Sequence, residues 1–135
     1  MSSTVLVVTN GSRGDCQPYV AIALAFMKRG YKVTIFTNPE HETLVASHDV
    51  GFRSNAYPFK DFFREEKTRK IFTTGSMVAY LDHFGKYAAN YTQPMYKMLH
   101  KTVAEVQPNL IICGMNHFPD ALWCVCSTGG PQSLP

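Results

Sequence analysis

The chain has no long hydrophobic run and no basic leader segment. Its apolar run near the N-terminus covers only residues 5–8, far too short for a signal peptide or a membrane span. We therefore expect a cytosolic protein. The chain has 135 residues, of which 45% are hydrophobic and 17% charged. This composition is typical of a single globular domain that buries a core and excludes a disordered segment.

An excess of charge of one sign is also missing. The net charge of +3 is far below what is expected of a nucleic-acid-binding domain. Much of the excess lies in residues 64–70, which mix arginine, lysine and glutamate. One interpretation of this segment is a solvated helix face, and the alternative is contact with anionic lipid headgroups.

The cysteine pattern gives little support to a metal site. Cys16, Cys113, Cys124 and Cys126 lie in or beside apolar runs, where a free cysteine behaves as a small hydrophobic residue. Cys124 and Cys126 are close in sequence, but no second cysteine pair and no histidine at ligand spacing accompanies them. We therefore expect no bound metal.

What the chain does contain is an alternation of strand and helix patterns. Residues 5–8, 31–36 and 109–113 predict buried strands, and residues 17–28 predict the helix between the first two. A strand, a helix and a strand this close in sequence form a parallel, right-handed unit. The fold class predicted is therefore α/β, a Rossmann-like parallel sheet with helices on both faces.

The rest of the chain predicts further helices around this unit. We expect short helices over residues 42–47 and 119–125, and a brief strand near residues 51–52. A long helical stripe begins at residue 76, and Pro94 interrupts it, so two helices or one kinked helix are expected. The apolar residues of this stripe are Met77, Leu81, Phe84, Ala88, Tyr91, Met95, Leu99, Val103 and Val106.

The turn after the first strand holds the candidate chemistry. It reads Gly11-Ser12-Arg13-Gly14-Asp15, with the glycines spaced G-x-x-G. A dinucleotide fingerprint needs G-x-G-x-x-G and an acid that ends the second strand, and a P-loop needs a following Gly-Lys-Ser/Thr. Both are excluded. The pattern that is left predicts a tight turn at the carboxyl edge of the sheet, where α/β proteins bind ligands.

Asp15 is the candidate for chemistry in this turn. The helix dipole and unpaired N–H groups favour a charged carboxylate at a helix N-terminus, and such a group can accept a proton from an attacking hydroxyl. The alternative is that Asp15 only caps the helix. His41 and His117 follow predicted strands and could border the same crevice, whereas His83 and His100 are isolated. A surface or core role is the alternative for all four histidines.

Four segments together resemble a known family. Residues 10–24, 29–37, 51–52 and 107–114 are similar, in this order, to the N-terminal domain of the GT-B glycosyltransferases. The similarity covers residues 4–123. It is strongest to the sterol glucosyltransferases, a branch that shares these motifs with the glycopeptide-antibiotic glycosyltransferases.

The resemblance implies the N-terminal half of a GT-B architecture and a specific reaction. A hexose, usually glucose from UDP-glucose, would move to a hydroxyl of a sterol or another lipid with inversion at the anomeric carbon. Asp15 stands where plant-type relatives have a histidine and would be the general base. The candidate substrate-binding residues are Gly11, Ser12, Arg13, Gly14 and His117.

The resemblance also implies how the substrates are held. No metal or other cofactor is expected, because helix dipoles and side chains of the other half of such enzymes hold the diphosphate of the co-substrate, a UDP-sugar. Aromatic and methionine side chains between residues 72 and 98 would line an apolar acceptor pocket. The alternative for these side chains is ordinary packing within a helical core.

The expected domain organisation follows from the family pattern. Residues 1–123 would form the acceptor-side domain, residues 124–135 a divergent tail produced by truncation or an alternative end, and the C-terminal donor-binding domain would be absent. The chain would then be inactive without that half. Its expected partners are a sterol or lipid acceptor, a UDP-sugar bound through a separate domain or chain, and a membrane surface, but not nucleic acid.

Two alternatives to this function stay open. One is a non-catalytic half-domain of a split glycosyltransferase that binds lipid or docks on a partner chain. The other is a fragment with no physiological role.

Overall fold

Parallel strands with helices packed around them make up the described part of the chain, residues 3–114 of a computed structural model. A 3-10 turn, Pro39–His41, precedes the second helix. The elements in chain order are β1 (Thr4–Val8), α1 (Arg13–Lys28), β2 (Lys32–Thr37), α2 (Glu42–Ala46), β3 (Gly51–Ser54), α3 (Phe59–Arg64), α4 (Glu66–Thr74), α5 (Met77–Val106) and β4 (Leu110–Cys113).

The sheet has the strand order β3-β2-β1-β4, and every neighbouring pair is parallel. Val5 of β1 lies opposite Val33 of β2 and Leu110 of β4, so β1 is paired on both sides. The predicted strands and the parallel unit of β1, α1 and β2 are confirmed. Because all strands run the same way, their carboxyl ends share one edge of the sheet, and the turn after β1 lies there.

Alternate residues of β1 face opposite layers of helices. Val5 and Val7 pack in a core with Cys16 of α1, whereas Leu6 and Val8 pack with α5 on the other face. These side chains are completely buried, and each such burial stabilises the fold by roughly 1.5–3 kcal/mol. Helices on both faces of the sheet are confirmed. Cys16 behaves as the expected small hydrophobic residue, and burial raises the pKa of its thiol.

Helix α1 begins earlier than the sequence pattern predicts. It starts at Arg13, with Ser12 as the N-cap residue, so Asp15 is the third residue of the helix and the prediction of Asp15 as N-cap is wrong. Pro18 consequently lies in the second turn, where its missing N–H leaves the carbonyl of Gly14 without a helical donor.

The end of α1 follows the prediction. The last helical residue is Lys28, a cation in the last turn, and Gly30 has a φ of 88°. The glycine therefore terminates the helix in the left-handed region and turns the chain into β2.

Helix α5 is continuous from Met77 to Val106, with Pro94 inside it, so of the two expected alternatives the structure has one helix and not two. The predicted apolar stripe is buried in its second half, where Leu99 and Val103 contact the sheet. At its start the stripe is exposed, since Met77 and Leu81 keep 66% and 58% of their surface accessible. None of the described helices is both long enough and apolar enough to cross a membrane.

A cluster of rings joins helix α3 and the segment before it to helix α5. Tyr57, Phe62 and Tyr87 are its buried members. Neighbouring rings meet at centroid distances of 5.0–6.2 Å, mostly tilted or edge-to-face. We call the following residues the aromatic wall: Tyr57, Phe59, Phe62, Tyr80, Phe84, Tyr87 and Tyr91. The helix predicted over residues 119–125 and the boundary predicted at residue 123 lie outside the described residues.

Candidate functional site

The turn between β1 and α1 requires glycine at one of its two glycine positions. Gly11 has a φ of 132°, and a Cβ at this residue would collide with Oδ2 of Asp15. Gly14 differs, because it lies inside α1 with an ordinary φ, and a Cβ there would meet only Oγ of Ser12 at 3.7 Å. The conformation of the turn therefore requires a glycine at Gly11 and not at Gly14.

Asp15 is held through one of its two carboxylate oxygens. The N–H and the Oγ–H of Ser12 both donate to Oδ2 of Asp15, at 2.8 and 2.9 Å. These bonds satisfy donors at the N-terminal end of α1. Within the described residues Oδ1 has no hydrogen-bond partner. Capping and chemistry are therefore compatible, because one oxygen caps while the other is accessible at the exposed surface of Asp15.

Asn38 and His41 hold the turn through hydrogen bonds to the backbone of Gly11. Asn38 is fully buried, and its Oδ1 accepts the N–H of Gly11 at 2.8 Å. Its Nδ2 donates to Oδ1 of Asn10 at 2.6 Å and to the carbonyl of Tyr57 at 2.8 Å. His41, also buried, donates from Nε2 to the carbonyl of Gly11 at 2.8 Å. The backbone of Gly11 is thus bonded on both sides, which fixes the position of Asp15.

Sequence reasoning missed Asn38 entirely. The signal available was an amide that directly follows β2 and precedes Pro39, a place where asparagine often bonds the backbone of a turn. The ring of His41 bonds the carbonyl of Gly11, and His41 also lines a crevice beside the turn, so both roles considered for it are present. The sequence shows neither the bond from Asn38 to Asn10 nor the bond from His41 to Gly11, since the bonded residues are 28 and 30 positions apart.

The aromatic wall and the turn enclose a cavity of about 350 Å³. Asp15 lies at one end of it with Asn10 and Gly11. The remaining lining residues are Tyr57, Phe59, Tyr80, Phe84, Ala88, Tyr91, Thr92 and Met95. The expectation that aromatic and methionine side chains between residues 72 and 98 line a pocket is confirmed for Tyr80, Phe84, Tyr91 and Met95.

Tyr57 is the unusual member of this lining. Its side chain is 3% exposed, and its hydroxyl has no hydrogen-bond partner among the described residues. Burial raises the pKa of Tyr57 to about 12, and the neighbouring Tyr91, Tyr80 and Glu40 act in the same direction. A buried hydroxyl without a partner costs free energy, about 1–3 kcal/mol, unless a ligand completes it.

A second, more open cavity of about 620 Å³ shares Gly11, Asp15 and Phe59 with the first. Its lining carries charge from Arg13, Glu40 and Lys60, and Oε1 of Glu40 accepts the N–H of Lys60 at 2.8 Å. Ser12, His41 and the rings of Phe59 and Phe63 complete it with Gly11 and Asp15. Asp15 therefore stands at the junction of an aromatic cavity and a charged one.

The other predicted site residues lie apart from this junction. Gly14 lines neither cavity. His83 is a satisfied structural residue, since its Nε2 lies 2.9 Å from Oγ1 of Thr68 and 3.3 Å from Oε2 of Glu65. His100 lies on the exposed side of α5, and His117 lies outside the described residues. Within residues 3–114, no group of three histidine, cysteine or acidic residues could hold a metal ion.

Comparison with known proteins agrees with the geometry. The sterol 3-beta-glucosyltransferases of Kluyveromyces lactis and Pichia angusta are 45% and 46% identical over 47 and 50 residues, which are 35% and 37% of this chain. The matched segment is about 4% of the length of either relative.

Solved glycosyltransferases share the fold. The calicheamicin glycosyltransferase CalG4 has a TM-score of 0.70 at 12% identity, and SsfS6 of Streptomyces sp. SF2575 has 0.66 at 18%. The alignments cover 96% of this chain and 31% and 38% of those chains. SsfS6 has also been solved in complex with thymidine diphosphate.

The family model of the glycosyltransferase family 28 N-terminal domain matches residues 5–98, well over half of the chain. The structural neighbours of the chain are GT-B glycosyltransferases, and the sheet of the chain is the Rossmann-like layer expected of their N-terminal half. The chain therefore belongs to the family of glycosyltransferase family 28 N-terminal domains.

Proposed function

We propose that this chain is the acceptor side of an inverting glycosyltransferase that moves a hexose, glucose in the first instance, from a UDP-sugar to a hydroxyl of a sterol or another lipid. The observation that supports this proposal most directly is the position of Asp15. Its carboxylate joins an aromatic cavity, suited to an apolar acceptor, to a charged cavity, suited to a phosphorylated donor. The similarity to sterol 3-beta-glucosyltransferases favours a sterol among the lipids.

The proposed chemistry uses Oδ1 of Asp15 as the general base. The acceptor hydroxyl gives its proton to Oδ1 as its oxygen forms a bond to the anomeric carbon of the sugar. The bond from that carbon to the diphosphate oxygen breaks on the opposite face, and the electron pair leaves with UDP. Ser12 keeps Oδ2 in place throughout, so the proton goes to the oxygen that is not already bonded.

The aromatic wall supplies the acceptor subsite in this proposal. Rings such as Phe84 and Tyr91 bury the apolar body of a ligand, and the hydroxyl of Tyr57 offers it one hydrogen bond. A fused-ring lipid with a terminal hydroxyl satisfies both requirements, because its ring body is apolar and its polar end can reach Asp15.

The donor would be held only in part by the described residues. Arg13 and Lys60 bring positive charge to the second cavity, where it would attract a diphosphate. The chain covers only 31–38% of the length of its glycosyltransferase neighbours, so we propose that donor binding needs protein surface beyond residues 3–114. The complex of SsfS6 with thymidine diphosphate supports a nucleotide-sugar donor in general.

Mass spectrometry of a glycosylation assay tests this proposal. The purified chain would be incubated with UDP-glucose and a panel of sterols, alone and joined to the donor-binding half of a sterol glucosyltransferase. We expect a glycosylated sterol from the joined protein and none from the chain alone. Product from the chain alone would contradict the donor-binding part, and no product from either would contradict the acceptor assignment.

A second candidate is a lipid-binding or partner-docking domain without catalysis. The aromatic cavity favours it, because an apolar ligand can bind there whether or not Asp15 takes a proton. Sterol binding that is measured by fluorescence quenching, in a joined protein that forms no product, is the result that this candidate predicts.

A further inference from the structure

One buried side chain, that of Asn38, joins the turn that carries Asp15 to the aromatic wall. Asn38 lies directly after β2 and is fully buried. Its Oδ1 accepts the N–H of Gly11 in the turn at 2.8 Å. Its Nδ2 donates to Oδ1 of Asn10 at 2.6 Å and to the carbonyl of Tyr57 in the wall at 2.8 Å. A single carboxamide therefore links the segments that follow β1 and β3.

The chemistry of the partners fixes which way the carboxamide of Asn38 points. A backbone N–H can only donate and a backbone carbonyl can only accept, so Oδ1 faces Gly11 and Nδ2 faces Tyr57. The position therefore requires an acceptor and a donor of two hydrogens on one short side chain. Aspartate has the same shape but lacks the amide donor, and alanine lacks both groups. Asparagine is thus required by the bonds that it makes and not by its size.

The backbone around Asn38 is itself held by hydrogen bonds. The N–H of Asn55 donates to the carbonyl of Thr37 at 2.8 Å, and the N–H of His41 donates to the carbonyl of Asn38 at 3.0 Å. Pro39, the next residue, favours the extended backbone that Asn38 has, with a φ of −61° and a ψ of 144°. The carboxamide projects from a fixed backbone, so it can set the positions of both segments that it bonds.

The bonded partners of Asn38 line the aromatic cavity, whereas Asn38 lines neither of the two cavities. Gly11 extends the effect to Asp15, because Cγ of Asp15 lies 3.0 Å from the point that a Cβ of Gly11 would occupy. A shift of the Gly11 backbone would therefore move the carboxylate. A change at Asn38 would act on the cavity through these neighbours and not through contact with a ligand.

We propose that Asn38 is a positioning residue that sets the separation between the proposed general base and the acceptor subsite. The inference rests on the proposed function, in which the aromatic wall holds the body of a sterol and Asp15 accepts the proton of its hydroxyl. With Asn38 in place, a sterol that is packed against Tyr57 presents its hydroxyl to Asp15. Without Asn38, the turn and the wall shift independently, and a displacement of about 1 Å is enough to lower the rate about a hundredfold.

Sterol selectivity measures this separation without requiring sugar transfer. Cholesterol and its analogue without the hydroxyl, each delivered from cyclodextrin, would be titrated into the purified 135-residue chain and followed by fluorescence. We expect cholesterol to bind about tenfold more tightly, because its hydroxyl adds a hydrogen bond to the Asp15 carboxylate. Asn38→Ala should abolish this preference and leave the affinity for the analogue nearly unchanged, because the ring contacts remain. A partly unfolded chain binds less of both ligands, so a loss of stability by itself does not change the preference.

Asn55→Ala is the matched control. Asn55 is equally buried and also bonds the backbone of Tyr57, since its Oδ1 accepts the N–H of Tyr57 at 2.8 Å. This bond stays within one segment, so its loss should affect both ligands to the same extent and keep the preference for cholesterol. Asn38→Asp replaces Asn38→Ala if the alanine variant does not fold, because aspartate keeps the acceptor for Gly11 and loses the amide donor. The preference should fall in that variant as well.

Amide hydrogen exchange at Gly11 tests the link itself. NMR would follow exchange of this N–H in the wild-type chain and in the Asn38 and Asn55 variants. We expect slow exchange in the wild type, a rate about tenfold or more higher in Asn38→Ala, and little change in Asn55→Ala. Asn38→Asp should stay close to the wild type, because the oxygen that accepts from Gly11 is kept.

The outcomes separate the role of Asn38 from the proposed function. Loss of the preference in Asn38→Ala with its retention in Asn55→Ala supports the proposal. A preference that the Asn38 variants retain overturns it, as does an equal loss in Asn55→Ala or an unchanged exchange rate at Gly11 in Asn38→Ala. A wild-type chain without the preference contradicts the proposed acceptor subsite and with it the role of Asn38 there, whereas the exchange rate still shows whether Asn38 holds the turn.

Discussion

The β1–α1 turn and the aromatic wall face the same cavity but are held in different ways. The turn is fixed by short, directional hydrogen bonds from Asn38 and His41 to the backbone of Gly11. The wall is held by ring contacts with few polar bonds, and several of its side chains are only half-buried. Hydrogen bonds to a backbone allow one geometry, whereas ring contacts tolerate several, so the proposed general base lies on the rigid side and the proposed acceptor subsite on the adaptable one.

The largest expected effect is at Asp15, the proposed general base. We expect Asp15→Asn to reduce sugar transfer by about 10²–10⁴-fold in a protein joined to a donor-binding half, because the general base is lost. Sterol binding to the aromatic wall should be unchanged. The measurement is product formation by mass spectrometry alongside sterol binding by fluorescence.

Glu40→Gln is the matched control for Asp15→Asn. It neutralises another carboxylate of the charged cavity whose Oε1 bonds the backbone of Lys60. We expect a much smaller loss of transfer for this variant. Equal losses in both would show that net charge of the cavity, and not the base at Asp15, is what matters.

Alanine substitutions at Gly11 and Gly14 test which of the two positions requires glycine for its backbone conformation. Gly11→Ala should lower the free energy of unfolding by about 2–4 kcal/mol, because alanine at a φ of 132° is strained and its Cβ collides with Asp15. Gly14→Ala should raise it by about 0.5–1 kcal/mol, because Gly14 is helical with space beside it. Urea unfolding of the two variants measures both, and equal effects would contradict the assigned turn geometry.

Substitutions of Asn38 and Phe84 compare how much the hydrogen-bonded turn and the aromatic wall each contribute to stability. Asn38→Ala should cost about 2–4 kcal/mol, because it leaves the buried N–H of Gly11 without its acceptor. Phe84→Leu on the aromatic wall should cost no more than about 1.5 kcal/mol, because neighbouring rings can repack around a similar volume. Urea unfolding compares the two, and a larger cost for Phe84→Leu would reverse the comparison.

The smallest expected change in stability is at Tyr57, a residue of the aromatic wall. Tyr57→Phe should stabilise the chain by up to about 1 kcal/mol, since it removes a buried hydroxyl without a partner, and should weaken sterol binding a few-fold. Tyr57→Leu is the control, because it removes the ring as well and should lower both stability and binding. A Tyr57→Phe chain that loses stability would show that the hydroxyl is bonded in the native state.

The raised pKa of Tyr57 predicts that the free energy of unfolding depends on pH. The folded state holds the proton of Tyr57 to a pKa of about 12, against 10.0 for an unperturbed tyrosine. The native state therefore binds more protons than the unfolded state in this window, so the free energy of unfolding falls as pH rises from 10 to about 12. Tyr57→Phe should make that fall shallower without abolishing it, because burial also raises the pKa of Tyr87.

Local patterns were sufficient for most of the fold. The valine-rich strands and the helix between them were predicted because each depends on neighbours in sequence. The start of α1 was not predicted, and the choice between two helices and one at Pro94 stayed open, because α1 is secured by a bond between Ser12 and Asp15 and α5 by packing on the sheet and the aromatic wall. Propensity alone cannot weigh those contacts against a glycine or a proline.

For the site, the sequence by itself determined where the proposed general base lies. Asp15 at the carboxyl edge of β1 follows from a strand, a turn and a helix in order, together with the family resemblance. Only the tertiary structure decided how that carboxylate is oriented, since Asn38, His41 and Tyr57 reach the turn across large separations in sequence. The exposure of Met77 and Leu81 was likewise decided in three dimensions, because periodicity shows that the two residues share a helix face but not whether another element covers it.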